Sequence, residues 1–475
     1  MQRPNIIFVM LDTVRADVLD VYGGKLKTKN INRIAKRAAV YENAIAPGTY
    51  TVPSHVSLFT GSRVRSVPVL LKDPMRYSDE NTDPLLIKSR YIKDSEMTLA
   101  KRMRYLGYDT AMFSNNPFVS KATGLANGFG YVENIWLNEM VDKNRAFVRN
   151  VLRIIENDYA RKSLIRLAYG ISRLLPNETL NRIYLKLRTK LNVKFAKEYG
   201  FYKIDKGASD TNEAISRYLS RGNDNPLFMF INYMEAHEGY PTSLITKKYV
   251  EQDKWLHLSG LKGTEYMPVI KKAYEKRIRY LDTQIGKLID VLKGKGMLDN
   301  TVLVMASDHG QAFMEHNIMY HNMFPYNEVS HVPLISAKFE DGKQVNTSER
   351  VRNFVGLSAL YDSILDIGVG RQEELNGNIR RDNFVFSDHV GITEVWDLQL
   401  LKLIKRRSKY ANAIYNTKRF HNTFATAVYY KKFKLMHFFS NGIKDVMYNL
   451  SEDPEERHNI IDENRELAHR MARMA

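Results

Sequence analysis

Four short apolar runs, each ending at a polar side chain, constrain this chain more than any other feature. They are "NIIFVML" ahead of Asp12, "YDTAMFS" ahead of Asn115, the run from Leu227 that leads to His237 in "NYMEAHEGY", and Thr301–Ala306 ahead of Asp308. Their β-branched and apolar content predicts strands buried on both faces. Helical patterns separate them. "INRIAKRAAVYENAIA" reads as a helix leading into a second short strand. In "SEMTLAKRMRYLG", Ser95 is placed to cap a helix with Leu99, Met103 and Leu106 at helical spacing and Gly107 at its end. "TNEAISRYLSRG" and "YEKRIRYLDTQIGKLIDVLKGKG" are two more helices. This alternation predicts an α/β fold, a mostly parallel sheet covered by helices. Chemistry in such sheets collects beyond the carboxyl ends of the strands, where Asp12, Asn115, His237 and Asp308 stand.

Two regions break the rhythm. Residues 141–200 hold 14 Lys and Arg against 5 Asp and Glu, half of a net charge of +18 in about an eighth of the chain. Leu164, Leu167, Ile171 and Leu174 form one stripe there, with Arg161, Lys162, Arg166 and Arg173 off it. Pro176 separates this from a second basic amphipathic pattern. The segment reads as an insertion into a domain spanning 1–340, and 341–475 as a smaller α+β subdomain. Its charge suits an anionic membrane surface or an anionic glycan, nucleic acid being the weaker match, or else a solvated face, a lid or an oligomer contact. The first apolar run, six residues from Ile6, is too short for a signal peptide, and no stretch approaches a membrane span. The expectation is a soluble, cytoplasmic chain, peripheral at the membrane if the basic segment docks there.

The 475 residues contain no cysteine, which excludes disulfides, thiolate metal sites and a cysteine nucleophile. Asp12 and the pair Asp308-His309 offer two carboxylates and an imidazole at strand ends. That set suits Mg²⁺, Mn²⁺ or Ca²⁺, with Zn²⁺ also possible. The turn "TYTVPSHVSLFTG" adds Thr49, Thr51, Ser54 and Ser57 beside a helix that Pro53 helps to start. Any of the four hydroxyls suits a cap of that helix, or a nucleophile activated by a cation, and local pattern does not rank them.

Seven segments together resemble the sulfatase-like branch of the alkaline phosphatase superfamily: "NIIFVMLDTVRAD", "TKNINRIAKRAAVYENAIA", "TVPSHVSLFTG", "YLDTQIGKLIDVL", "NTVLVMASDHG", "YNEVSHVPLI" and "YNLSEDPEERHNI". They keep the family's order from residue 5 to about 460. The resemblance implies an alkaline-phosphatase-like sandwich with a smaller C-terminal subdomain. It also implies one divalent cation held by Asp12, Asp308, His309 and the Thr51 hydroxyl. In sulfatases the Thr51 position is a Cys or Ser converted to formylglycine, and the His55 position is Arg. Threonine cannot yield that aldehyde, so the match implies Thr51 as an unmodified nucleophile. Thr13 replaces the second of two paired acids. Asn115 and Asn116 fall where a substrate oxygen would be bound. His237 and His321 fall where the transferred group or the leaving group would be contacted, and His55 where it would orient Thr51 or simply pack under the helix. Tyr233, four residues before His237, replaces the Asp of superfamily members with two metals, so a full second site is not expected. His316 and His331 are expected to be structural.

The leading expectation is therefore a metal-dependent phosphoester hydrolase or transferase, of phosphodiesterase or phosphoglycerol/phosphoethanolamine-transferase type, using Thr51. The alternatives are a sulfatase working without formylglycine, and a non-catalytic binder of anionic polymer or membrane. The substrate expected is an anionic ester, a lipid or a cell-envelope glycan.

Overall fold

The computed structural model describes residues 3–66, 91–135, 204–238, 267–390 and 424–475, with brief interruptions inside these ranges. The basic segment expected at 141–200 lies outside them. All four apolar runs are strands: β1 (Asn5–Leu11), β3 (Asp109–Ser114), β5 (Leu227–Tyr233) and β6 (Asn300–Ala306), with β2 (Ala39–Ile45) and β4 (Tyr131–Asn134) beside them. With β7 (Leu334–Glu340) and β8 (Glu349–Gly356), they form the main path of a ten-stranded sheet in the order β8-β2-β7-β6-β1-β5-β3-β4. β1 runs parallel to β5 and β6, and β3 parallel to β5 and β4. β7 is antiparallel to β6 and β2, which makes the sheet mixed.

Side chains alternate between the two faces of a strand, so each central strand feeds two cores. Ile7, Val9 and Leu11 of β1 pack with Ile278, Leu281 and Ile285 of the long helix α5 (Met267–Gly294). Ile6, Phe8 and Met10 pack on the opposite face, with Val56 and Phe59 of α2 (Thr51–Thr60) and Leu360 and Ile364 of α6 (Leu360–Gly368). Burial on both sides is why these strands read as unbroken apolar runs rather than alternating ones. Among the described residues, the sandwich also carries α1 (Lys29–Ala35), α3 (Leu99–Tyr105) and α4 (Ala208–Leu219). The cap of α3 is Thr98, whose hydroxyl accepts from Lys101 N, rather than Ser95.

Past residue 340 the chain still contributes β8 and α6 to the large sandwich. A separate four-stranded antiparallel sheet begins at β9 (Val385–His389) and continues through β10 (Ala425–Tyr430), β11 (Phe433–Phe438) and β12 (Val446–Asn449). Helix α7 (Arg465–Ala472) covers it with Ala468 and Met471. This smaller sheet braces the start of α2. Asp388 N donates to Pro47 O at 2.8 Å, and Thr49 Oγ1 meets His389 Nδ1 at 3.0 Å. Among the described residues no helix is long and apolar enough to cross a membrane.

Candidate active site

The parallel order β6-β1-β5-β3 brings four strand ends side by side, and with them the four polar residues that follow. Asp12 N donates to Tyr233 O at 2.9 Å and Asn115 N to Asn232 O at 3.2 Å, so the loops leave the sheet in register. Asp12, Asp308 and His309 converge there, fully buried, each offering a ligand atom within 4.8 Å of the others. His309 Nδ1 lies 3.0 Å from Gly310 O, a contact it can make only as the donor. The Nε2 lone pair therefore faces Asp12 Oδ1 at 3.8 Å and Asp308 Oδ2 at 3.5 Å. Neither of those carboxylate oxygens has a hydrogen-bond partner. Three acceptors aimed at one point need a proton or a cation between them. Burial, then Asp308, pushes the Asp12 carboxyl up to about 8. Burial likewise pushes Asp308 up to about 7. The donor set and its orphaned oxygens fit a divalent cation.

The backbone between these ligands is strained. Thr13 has φ of +63°, a region that β-branched residues seldom enter. Tyr274 holds it there, its hydroxyl donating to Thr13 O at 2.8 Å, while Thr13 N reaches Asp308 Oδ1 at 3.4 Å. The Thr13 side chain, standing where a second acid was sought, buries an unpartnered hydroxyl.

Of the four hydroxyls in the turn, Thr51 alone enters the cluster. Its Oγ1 lies 3.4 Å from His309 Nε2 and 3.5 Å from Asn116 Nδ2. The others are occupied: Thr49 with His389, Ser54 with Gly48 N and O, and Ser57 with Ser62 O. None caps α2, whose preceding residue is Tyr50.

The two asparagines divide. Asn116 Nδ2 donates to Asp12 Oδ2 at 2.7 Å and so orients a ligand. Asn115 is held from α4 instead, its Oδ1 accepting from Thr211 Oγ1 at 3.1 Å, while its buried Nδ2 has no hydrogen-bond partner. His55 lies on the buried face of α2, against the Thr51 backbone. Nδ1 donates to Thr51 O at 2.8 Å, one helical turn back, and the ring packs edge-on against Phe59 and Phe230. Burial lowers its pKa to about 4, so it stays neutral. It supports the Thr51 backbone and brings no charge to the site.

His237 and His321 do reach the site's rim. The His321 ring lies 4.4 Å from that of His309 and 5.0 Å from that of His237, centroid to centroid. Gln311 Oε1 meets His321 Nδ1 at 2.8 Å. His316 stacks on Tyr326 at 3.9 Å and lies 3.5 Å from Glu328 Oε1, and His331 donates from Nε2 to Glu42 O at 2.7 Å.

Sequence reasoning passed over Glu238, Lys206, Arg277 and Gln311. Lys206 Nζ donates to His237 O and Glu238 O at 2.8 and 2.6 Å, and Arg277 Nη1 to Glu235 O and His237 O at 3.1 and 3.0 Å. The half-buried Lys206 and the fully buried Arg277 fasten the turn that presents His237. Glu238 stood beside a chosen histidine and Gln311 three residues after Asp308, but neither lies in a periodic pattern that would mark it.

The family model described as Sulfatase matches residues 4–370, well over half of the chain. The chain belongs to the sulfatase family. An N-acetylglucosamine-6-O-sulfatase of Bacteroides thetaiotaomicron is 24% identical over 97% of this chain and 83% of its own. An arylsulfatase of Clostridium perfringens is 22% identical over 97% and 90%. Among solved structures, the phosphonate monoester hydrolase of Agrobacterium radiobacter superposes with a TM-score of 0.61 at 17% identity, covering 99% of this chain and 94% of its own. At that identity it shows the shared fold alone.

The full-length sulfatase relatives overturn the leading expectation of a phosphoester hydrolase or transferase with Thr51 as nucleophile. That expectation rested on departures from the sulfatase pattern, chiefly Thr51 in place of the formylglycine precursor, with Thr13 in place of an acid. Sulfate and phosphate are both tetrahedral oxyanions of similar size, so losing the formylglycine precursor changes how a bond is attacked, not which anion fits. The chain is an ester-acting hydrolase of the sulfatase family.

Proposed function

We propose that this protein hydrolyses sulfate esters of an anionic glycan without formylglycine. The observation that carries the proposal is the meeting of Asp12, Asp308, His309 and Thr51 at one point, in a chain whose full-length relatives include an N-acetylglucosamine-6-O-sulfatase. Asp12, Asp308 and His309 would hold a divalent cation, with Mg²⁺, Mn²⁺ or Ca²⁺ favoured by the two carboxylates. When bound, it withdraws charge from the sulfate oxygens.

The protein's own groups do the rest. Thr51 Oγ1, at the N-terminus of α2, hydrogen-bonds the sulfate, and the helix dipole favours the anion there. Asn116 keeps Asp12 turned to its ligand position. Water attacks sulfur on the side opposite the ester oxygen, the S–O bond to the sugar breaks, and the alcohol departs with a proton as sulfate is released. His237 and His321 line the rim where the departing oxygen needs that proton or an equivalent positive charge.

Ion chromatography of sulfate released from 6-sulfated N-acetylglucosamine, 6-sulfated N-acetylgalactosamine and an aryl sulfate, each with Ca²⁺, Mg²⁺, Mn²⁺ or Zn²⁺, tests the reading. Release that stops with EDTA and with Asp308→Asn is expected. No sulfate from any combination, or faster cleavage of phosphodiesters, would overturn it.

A further inference from the structure

We infer that His316, paired with Glu328, is a positioning residue that holds the hairpin leading to His321 in its working shape. Strands Ala312–Phe313 and Met319–Tyr320 pair antiparallel, and His321 directly follows the second. The shape is an unfavourable one. Met314, His316 and Tyr320 have φ of +70°, +50° and +66°, three of the seven left-handed non-glycine residues among those described. Such residues persist only where their surroundings hold them. Within the loop, Met314 N donates to Ile318 O at 2.7 Å and Ile318 N to Glu315 O at 2.9 Å. Glu315 anchors one side, meeting Arg15 Nη1 at 3.0 Å and Lys271 Nζ of α5 at 2.9 Å.

His316 anchors the other side. Its ring stacks on Tyr326, 3.9 Å between centroids and 5° between planes, and Nε2 lies 3.5 Å from Glu328 Oε1. Glu328 is tied to the active site as well. Its carbonyl accepts from Gln311 N at 2.8 Å, and Gln311 Oε1 meets His321 Nδ1. Next to this pair stand Glu456, from the turn after β12, and Lys434 of β11, 2.6 Å apart.

The charges call for a proton on His316. Glu328 and Glu456 bring two negative charges and Lys434 one positive. Arg15 and Lys271, on the hairpin side, are already matched by Asp17 and Glu315. Burial pushes the hydroxyls of Tyr326, Tyr429 and Tyr448 above their ordinary pKa, so they stay neutral. Glu328 Oε2 is buried with no hydrogen-bond partner, so a neutral His316 leaves that carboxylate poorly compensated. Burial lowers the His316 pKa, but the bond to Glu328 outweighs it and the net shift is upward from 6.5. The pairing is therefore complete below 6.5 and is lost as pH rises through the raised folded value. This goes beyond the structural role expected of His316. The part His321 plays at the departing oxygen rests on the sulfate-ester reading; the pairing of His316 with Glu328 does not.

Hydrogen exchange of the full chain with Ca²⁺, followed by mass spectrometry from about pH 6 to about pH 9 on a peptide spanning 312–321, tests this without substrate. The wild type is expected to lose about tenfold in protection factor as pH rises through the His316 titration. His316→Asn accepts the left-handed backbone but not the charge, and should show the lower protection at every pH. Glu328→Gln should behave as His316→Asn does, and circular dichroism confirms that both are folded. In sulfate release, the kcat of the wild type over that of His316→Asn should be about ten below pH 6.5 and approach one above the titration, with KM little changed. Equal protection in the wild type and both variants, or a difference that does not vary with pH, would overturn the inference. The expected exchange pattern without sulfate release would sink the functional reading and leave the positioning of the hairpin standing.

Discussion

Asp12 is where burial and charge conflict most directly, and replacing it with Asn should stabilise the metal-free protein. Its carboxyl rises from 3.8 to about 8, burial being the main cause and Asp308 the next. The folded state thus binds the proton more tightly than the unfolded chain does. Stability from this group is complete below the unfolded pKa and is lost as pH rises through the folded one. About four pH units at about 1.4 kcal/mol each give an upper bound of about 5–6 kcal/mol. Water entering the site relaxes such penalties, so about 2–3 kcal/mol is the expected size. Asn keeps the acceptor for Asn116 Nδ2 and removes the charge. In urea titrations with EDTA, the wild type should weaken between about pH 5 and pH 8.5, and Asp12→Asn should be the more stable at the upper end by that amount. Saturating cation should reverse the ranking, since about 100-fold excess over Kd adds about 2.7 kcal/mol to a protein that binds it. A metal-free wild type whose stability is flat over this range, or an Asn variant weaker at pH 8.5, would refute the reasoning.

Thr51→Ala should lower kcat/KM by about 10- to 150-fold, the worth of a hydrogen bond to a charged group. A loss beyond about ten-thousandfold, with a covalent adduct trapped on Thr51 of the wild type, would restore a nucleophilic role. Asn116→Ala should weaken cation binding by about tenfold or more in dialysis, whereas Asn115→Ala should cost about 1 kcal/mol of stability and leave binding intact. Lys434 and Glu456 are fully buried, 2.6 Å apart. Lys434→Met should therefore cost about 3–5 kcal/mol in chemical denaturation, and Lys434→Met/Glu456→Leu should recover most of it. Equal losses in the single and double variants would show that the pair itself stabilises the fold.

Much of the sandwich was legible because burying a strand on both faces imposes an unbroken apolar run, and β1, β3, β5 and β6 carry one each. Asp12, Asp308 and His309 were legible for a related reason: each directly follows such a run, and parallel strands place those positions at one edge. Capping was harder to assign. Ser95, Thr98 and the four hydroxyls of the α2 turn are chemically interchangeable as caps, and only the surrounding backbone shows that Thr98 acts and that Thr49, Ser54 and Ser57 bond elsewhere.

The sequence by itself determined the central strands and the acids at their ends, because these follow from periodicity and from residues adjacent in the chain, whereas the spatial order of the strands came only from the structure. Only the tertiary structure decided which of two neighbouring asparagines orients Asp12, that His55 is a neutral packing residue, and that Glu238 lies between His237 and His321. Those outcomes depend on contacts across tens to hundreds of residues, such as Asn116 with Asp12 and His321 with Glu238. Side-chain direction at a strand end is set by whichever loop arrives from elsewhere in the chain, and no local pattern records that arrival.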